Sequence, residues 1–585
     1  MTEHAAEKKI WNRSVYFVSG AFRRFYIPTL LSSFWLAVAG VADSVFVGNG
    51  IGSAGLAAIS FGQPVYLFYN ILSYGFSIGG SIHYASKLAE GRAEEGNRIF
   101  LTVWKMLLMI YVLTALLGLL FLPQLMQLLG ADPSDPVTKT YIRTQLIFIP
   151  VMFSQGPFYF FVNADNGQKT AAAAMSVSGI SDALFSYIFV IRMNLGVAGS
   201  VYSTVVGAIL MLAITGRHIA AKRGALRFKS EKMDWRSAAV SGRTGFATSV
   251  QYLFQFSTMI MVNHLLVRLG GAPAVAAFDV VYNISLLCIS VTEGAVVASE
   301  PMISSYRSER NLANIEITLR LALFWSAVLS GIFTVLLLVF SPFFSMAFGM
   351  REGIGLAYSS EGIRIYAISI LPAMLNVLFS GYYQAVFKES LAYLITILRT
   401  FVFYVIALLV CSGYGMTGFW FLFVVSEILS MMVWLPLAAC KGGILQLKDI
   451  DVSNTLSVVV DSSSQDISKI SKQMQEFCEE RLSDPKIPMY IGLTVEEICC
   501  AVLERFRDQM GKIYIQVTAV AENDGVTLYL RDNVLEFNPL GENTEGISLQ
   551  EGKLLELVGL RIVQKKAKEF YYRRYAGFNT LVIRM

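Results

Sequence analysis

Long apolar runs separated by short polar breaks occupy most of this chain, and the pattern changes near residue 441. The runs fall near 26–48, 58–82, 99–121, 141–162, 171–193, 197–216, 245–267, 274–300, 318–341, 363–386, 390–412 and 416–439. At 1.5 Å per residue each can cross a hydrocarbon layer of ~30 Å as a helix. Short breaks make consecutive helices antiparallel. The pattern predicts an α-helical membrane protein with twelve transmembrane helices. Beyond residue 441 the periods shorten: 467–482 and 491–508 repeat as helices, whereas Ile513–Val517, Val526–Leu530 and Thr580–Ile583 alternate as strands. Helices on one face of an antiparallel sheet make a small α+β domain.

Composition agrees with the pattern. Of 585 residues, 55% are hydrophobic and 15% charged, against roughly 25% charged in soluble chains; mean hydropathy is +0.55. The net charge of +5 fits basic loops at a membrane face better than nucleic acid binding. Cys288, Cys411, Cys440, Cys478, Cys499 and Cys500 show no C-x-x-C spacing, and His4, His83, His218 and His264 are scattered. Buried reduced thiols and no zinc site are expected. The polar, basic N-terminus and a first apolar run without an A-x-A site argue against a cleaved signal peptide.

Positive charge sets the orientation. Arg217, Lys222, Arg223, Arg227, Lys229, Lys232, Arg236 and Arg243 crowd one loop, and Lys87, Arg92, Arg98, Arg307 and Arg310 share its side with Lys8, Lys9, Arg13, Arg23 and Arg24. On the opposite side 49–54 carries no charge and 265–273 only Arg268. Lys and Arg stay cytoplasmic, so both termini are expected inside a cell membrane. Gly52-Ser53-Ala54-Gly55-Leu56-Ala57-Ala58 recurs as Gly271-Ala272-Pro273-Ala274-Val275-Ala276-Ala277, and the same offset carries Gly75 onto Gly294. This predicts two six-helix parallel repeats around a central site. The expected organisation is a cytosolic segment at 1–22, a first half at 23–218, a basic cytosolic linker at 219–243 and a second half at 244–440. A linker at 441–452 then leads to a soluble domain at 453–585.

Acids inside a span cost at least a few kcal/mol and are functional candidates. Asp43 lies in the outer half of span 1; Asp182 lies near the middle of span 5, with Ser186 one turn further on. Such carboxylates can take up a proton or ligate sodium. The second half offers Gln251 and Gln255 on one face of span 7 and Glu293 in span 8, a secondary polar cavity with little to titrate. Phe68, Tyr69, Tyr74, Phe158, Tyr159 and Phe160 are candidates to line a cavity for flat organic cations. Pro28 permits a bend in span 1.

Across residues 20–440 the chain resembles the multidrug and toxic compound extrusion family. Ile27-Pro28-Thr29-Leu30-Leu31-Ser32-Ser33, Ala42-Asp43-Ser44-Val45-Phe46-Val47-Gly48, Phe161-Val162-Asn163-Ala164-Asp165-Asn166-Gly167, Gly196-Val197-Ala198-Gly199 and Tyr383-Gln384-Ala385 with Arg399 carry the likeness through their order and spacing. The resemblance implies alternating-access export driven by sodium or protons, with Asp43 coupling the cation and Pro28 where helix 1 bends. In that family helix 5 often carries an Asn followed four residues later by an Asp; here those places hold Asp182 and Ser186. Gln255 stands where some members place a Glu on helix 7. Coupling is therefore expected mainly in the first half.

The soluble domain resembles a histidine-kinase-type ATPase, nearest the anti-sigma-factor kinases, through Val495-Glu496-Glu497-Ile498, Arg531-Asp532-Asn533-Val534 and Val558-Gly559-Leu560-Arg561. Its site is degenerate. Ala501 stands where the family's magnesium-binding Asn would follow Glu497, Asn533 and Val534 follow Asp532 in place of x-Gly, and Arg561 interrupts the phosphate glycines after Gly559. No ATP chemistry and no cofactor beyond a coupling sodium or proton is expected. The reading is a secondary antiporter, not an enzyme, exporting cationic or amphipathic organic solutes, with a domain that regulates it and offers a surface to a cytosolic protein. A flippase for a lipid-linked solute and a receptor signalling through the soluble domain are the alternatives.

Overall fold

The computed structural model describes residues 2–89, 92–228, 233–461, 465–482, 484–506, 513–522, 525–539, 562–575 and 578–585. The membrane part runs α1 (Thr2–Ile51), α2 (Ser53–Ala89), α3 (Ala93–Leu120), α4 (Leu122–Leu128), α5 (Pro136–Ala164), α6 (Gln168–Ser186), α7 (Val197–Ala220), α8 (Trp235–Thr244), α9 (Phe246–Ser308), α10 (Leu312–Ala347), α11 (Gly353–Ala385), α12 (Glu389–Ile397), α13 (Phe403–Cys411) and α14 (Gly415–Gly442). Among the described residues nine helical stretches are long and apolar enough to cross a membrane. One of them, α9, is two helices broken at Gly271, whose φ of 65° only glycine adopts without strain.

The repeat is visible in the backbone. Left-handed glycines pair at a constant spacing of 219, Gly52 with Gly271, Gly130 with Gly349 and Gly196 with Gly415. The two halves exchange their opening segments. The start of α1 (Phe17, Val18, Phe22, Tyr26) packs with Ala298, Met302, Tyr383 and Trp434 of the second half, and Thr29 Oγ1 donates to the Gly294 carbonyl at 3.0 Å. Reciprocally, Ser249 at the start of α9 donates to the Ile71 carbonyl of α2 at 2.9 Å.

The structure adds detail to three of the sequence readings. α1 runs unbroken through 22/23, so the N-terminal segment belongs to the first membrane helix. Pro28 lies within that helix without interrupting it. The supposed linker 219–243 is structured: Ala225 and Leu226 donate their amides to Asp165 at 2.8 and 3.1 Å, and α8 follows. Tyr84 also donates to Asp165, at 2.6 Å, so the acid of the Asn163–Gly167 motif anchors this loop.

The C-terminal domain comprises β1 (Thr455–Asp461), α15 (Gln465–Glu479), α16 (Lys486–Arg505), β2 (Tyr514–Glu522), β3 (Gly525–Asp532), β4 (Glu569–Tyr575) and β5 (Phe578–Arg584). The strands pair antiparallel in the order β1-β2-β3-β5-β4. Period-two alternation gives the sheet two apolar faces. Val458, Val460, Leu528, Leu530 and Leu581 pack with α15 and α16, whereas Val459 and Phe578 join the core of the second membrane half. Strands β1 and β4 were absent from the sequence pattern.

Candidate functional site

Six helices bring polar groups to one cavity of about 280 Å³ in the membrane part. Asp43 and Ser44 come from α1, Asp182 from α6, and Thr204 from α7. Gln63 and Tyr66 come from α2, Tyr141 and Gln145 from α5, and Asp279, Tyr282 and Asn283 from the second helix of α9. Just beyond Asp182, α6 continues into a π-helical turn at Tyr187–Arg192, a distortion frequent beside functional sites. Thr204 Oγ1 donates to Asp182 Oδ1 at 3.2 Å. Asp43 Oδ1 and the buried Gln145 Oε1 have no hydrogen-bond partner among the described residues, and Ser186 Oγ lies beside Asp43 without completing a bond. No Lys, Arg or His is among the described lining residues. A buried carboxylate oxygen left without a partner costs several kcal/mol, and a proton or small cation would relieve that cost. Oxygen donors alone suit a hard cation such as sodium. Among the described residues no three His, Cys, Asp or Glu side chains gather tightly enough to hold a metal ion, so any bound sodium would rest on Asp43 and Asp182 with neutral oxygens.

Asp43 and Asp182 therefore meet, with Ser186 beside Asp43. Gln251, Gln255 and Glu293 do not line this cavity; Gln251 and Glu293 are exposed. The polar centre of the second half lies elsewhere. Arg399, in the π-helical turn Leu398–Val402, pairs with Glu427 at 2.7 Å. Asn376 donates to Glu427 at 2.7 Å and accepts from Trp434 Nε1 at 2.6 Å. Sequence reading missed both Glu427 and Asp279. Each is an acid within an apolar run, the same signal that singled out Asp43.

The aromatic candidates divide. Tyr69 packs against Tyr111 and Phe153 in the first-half core, and Tyr74 meets Tyr252 of α9 with ring centroids 4.9 Å apart. The tyrosines facing the cavity are Tyr66, Tyr141 and Tyr282. All six cysteines are free; Cys288, Cys478 and Cys499 are buried, but Cys440 is exposed, contrary to a uniformly buried set.

In the C-terminal domain Glu497 and Ala501 sit one turn apart on α16. Burial, then the adjacent Glu496 charge, pushes the Glu497 carboxyl up. Asp532 accepts from Asn579 Nδ2 at 2.7 Å, and Asn533 Oδ1 accepts the Tyr514 amide at 2.8 Å. Both side chains thus serve the domain's own fold. Gly559 and the glycine segment around it lie outside the described residues.

A family model described as MatE matches residues 28–188 and 244–409, one block in each half and together more than half of the chain. The chain belongs to the MatE family. Members are membrane transporters and not enzymes. Among relatives of this MatE chain, the "Probable multidrug resistance protein YoeA" of Bacillus subtilis is 22% identical over 335 residues, covering 54% of this chain and 70% of that protein. A "FAD transporter" of Shewanella oneidensis is 22% identical over 271 residues, 43% and 57% of the two chains. Solved structures share the fold. An inward-facing multidrug resistance MATE transporter of the MOP superfamily superposes with a TM-score of 0.64 at 18% identity, over 72% of this chain and 98% of that one. A MOP superfamily transporter from Pyrococcus furiosus, described as having a binding pocket of reverse polarity, gives 0.55 at 19% identity, over 73% and 96%.

Proposed function

We propose that this MatE chain is a multidrug-type secondary antiporter of the cell membrane that exports cationic or amphipathic organic solutes against inward sodium or protons. It does so on twelve spans, counting α2, both helices of α9 and the pieces on either side of Ser412–Tyr414 separately. Both termini lie in the cytosol, as the basic loops require. The observation that carries this reading is the partnerless Asp43 oxygen in a cavity shared with Asp182 and free of basic lining residues. An acid-lined cavity also disfavours an anionic solute of the kind named for the Shewanella relative.

The C-terminal domain acts as a regulatory clamp that a cytosolic partner protein can engage. Support comes from its seam with the membrane part. Arg531 of β3 pairs with the buried Glu309, just beyond α9, and also donates to Ser305. Phe578 of β5 packs edge-on against Phe17 of α1, and Asp449 accepts from Arg307 and Lys388 at 3.1 and 3.0 Å.

The test is ethidium efflux from energised membrane vesicles containing the full chain. Wild type is expected to export only while an inward sodium or proton gradient exists, and Asp43→Asn to lower the rate at least about 100-fold, the scale on which an essential carboxylate acts. Export that continues in Asp43→Asn at the wild-type rate rejects the proposal.

A further inference from the structure

The two halves are fastened beside the cavity by a pair of contacts related by the internal repeat. In one, Asn263 Nδ2 donates to the Ser60 carbonyl at 3.2 Å and Ser60 Oγ lies 3.4 Å from Asn263 Oδ1. In the other, Asn283 Nδ2 donates to Ser44 Oγ at 3.0 Å, to Asp279 Oδ2 at 3.1 Å and to the Asp279 carbonyl at 2.8 Å. A shift of 219 carries Ser44 onto Asn263 and Ser60 onto Asp279, so equivalent positions take part in both, while the second adds Asn283, whose repeat equivalent is Pro64. The first contact is neutral throughout. The second contains a carboxylate, is buried, and touches the residue next to Asp43. Asp279 also lines the cavity that holds Asp43, Asp182 and the partnerless Gln145 carbonyl oxygen.

We propose that Asp279 is a positioning residue for coupling: through Asn283 it holds Ser44, and with it the Asp43 wall, against the second half until the charge in the cavity changes. The inference rests on Asp43 being the cation-coupling residue. Three carboxylates facing one small space repel one another, and a cation at Asp43 and Asp182 removes most of that repulsion. With the cation present, Asp279 accepts fully from Asn283 and the contact closes. Without it, the field of the neighbouring acids opposes closure. The neutral Ser60–Asn263 contact has no such sensitivity and serves as a fixed pivot. Asp279 accepts from Asn283, and among the described residues no three acids gather as a metal site, so its action is on position and not on ligation.

The test uses the full chain in proteoliposomes, with entry of radioactive sodium and acidification of a trapped pH dye measured under an inward gradient, with and without ethidium inside. Wild type is expected to admit cations only when ethidium is trapped. Asp279→Asn, and equally Asn283→Ala, should admit cations without ethidium at least about five-fold faster than wild type, the lower end of ordinary coupling energies. The double variant should leak no more than either single one, because both residues act through one contact. If either variant folds poorly, the other decides. Cation entry that stays ethidium-dependent in both overturns the latch alone. Wild-type cation entry in Asp43→Asn overturns the cation site and the latch together.

Discussion

Asp43, Glu427 and Arg399 show what single residues declare in a sequence and what they conceal. An acid in an apolar run is visible at once; whether a partner waits for it depends on helices hundreds of positions away. Asp43 has an oxygen with no partner among the described residues, which suits a group that takes up and releases a cation. Glu427 looks the same in sequence, yet both its carboxylate oxygens accept from Arg399 and one also from Asn376. Its role is structural, and a test follows. Arg399→Met leaves a buried carboxylate unpaired and should cost about 3–5 kcal/mol of stability, whereas Arg399→Met with Glu427→Leu should recover most of that loss. Thermal unfolding in detergent reads both; a single variant as stable as wild type would contradict the assignment. Asp182 and Asp279 could be nominated from sequence by the same rule, but their convergence from α6 and α9 on one cavity is a tertiary fact.

At the level of elements, the apolar runs located the membrane helices because burial in lipid demands uninterrupted hydrogen-bonded backbone. The repeat was legible because the stretch opening at Gly52 recurs at Gly271, where the backbone needs a left-handed glycine in both copies; the matching pairs Gly130/Gly349 and Gly196/Gly415 emerged only in the backbone. The exchange of opening segments was not legible, since apolar residues at the starts of α1 and α9 pack equally well against either half. Close approach reveals it: a Cβ on Gly245 would lie 1.7 Å from the Gly75 carbonyl oxygen of α2. Gly245→Ala is therefore expected to lower stability by about 1–3 kcal/mol. Gly331→Ala, with open space around it, should be neutral or slightly stabilising through helix propensity. Equal melting temperatures for the two variants would refute this packing. Strand β1 escaped notice because its serine and flanking polar residues resemble a linker, and β4 because Arg573 and Arg574 blur its alternation.

Across the whole molecule, a sheet with one face on its own helices and the other on the membrane helices ties the C-terminal domain to α1 and α9. Those helices must move if the halves rock about a central site, so the domain sits where it can restrain transport. Arg531→Ala removes the partner of buried Glu309 and should free the domain, seen as faster protease cleavage between residues 441 and 454 and as an altered export rate. Unchanged cleavage and unchanged export would place the seam outside regulation. The central claim is exchange of an organic solute for a cation at Asp43, and reciprocity tests it most directly. In proteoliposomes with no imposed ion gradient, an outward ethidium gradient should draw sodium or protons inward through the wild-type chain and none through Asp43→Asn. Ethidium leaving the vesicles without any cation entering would contradict the account.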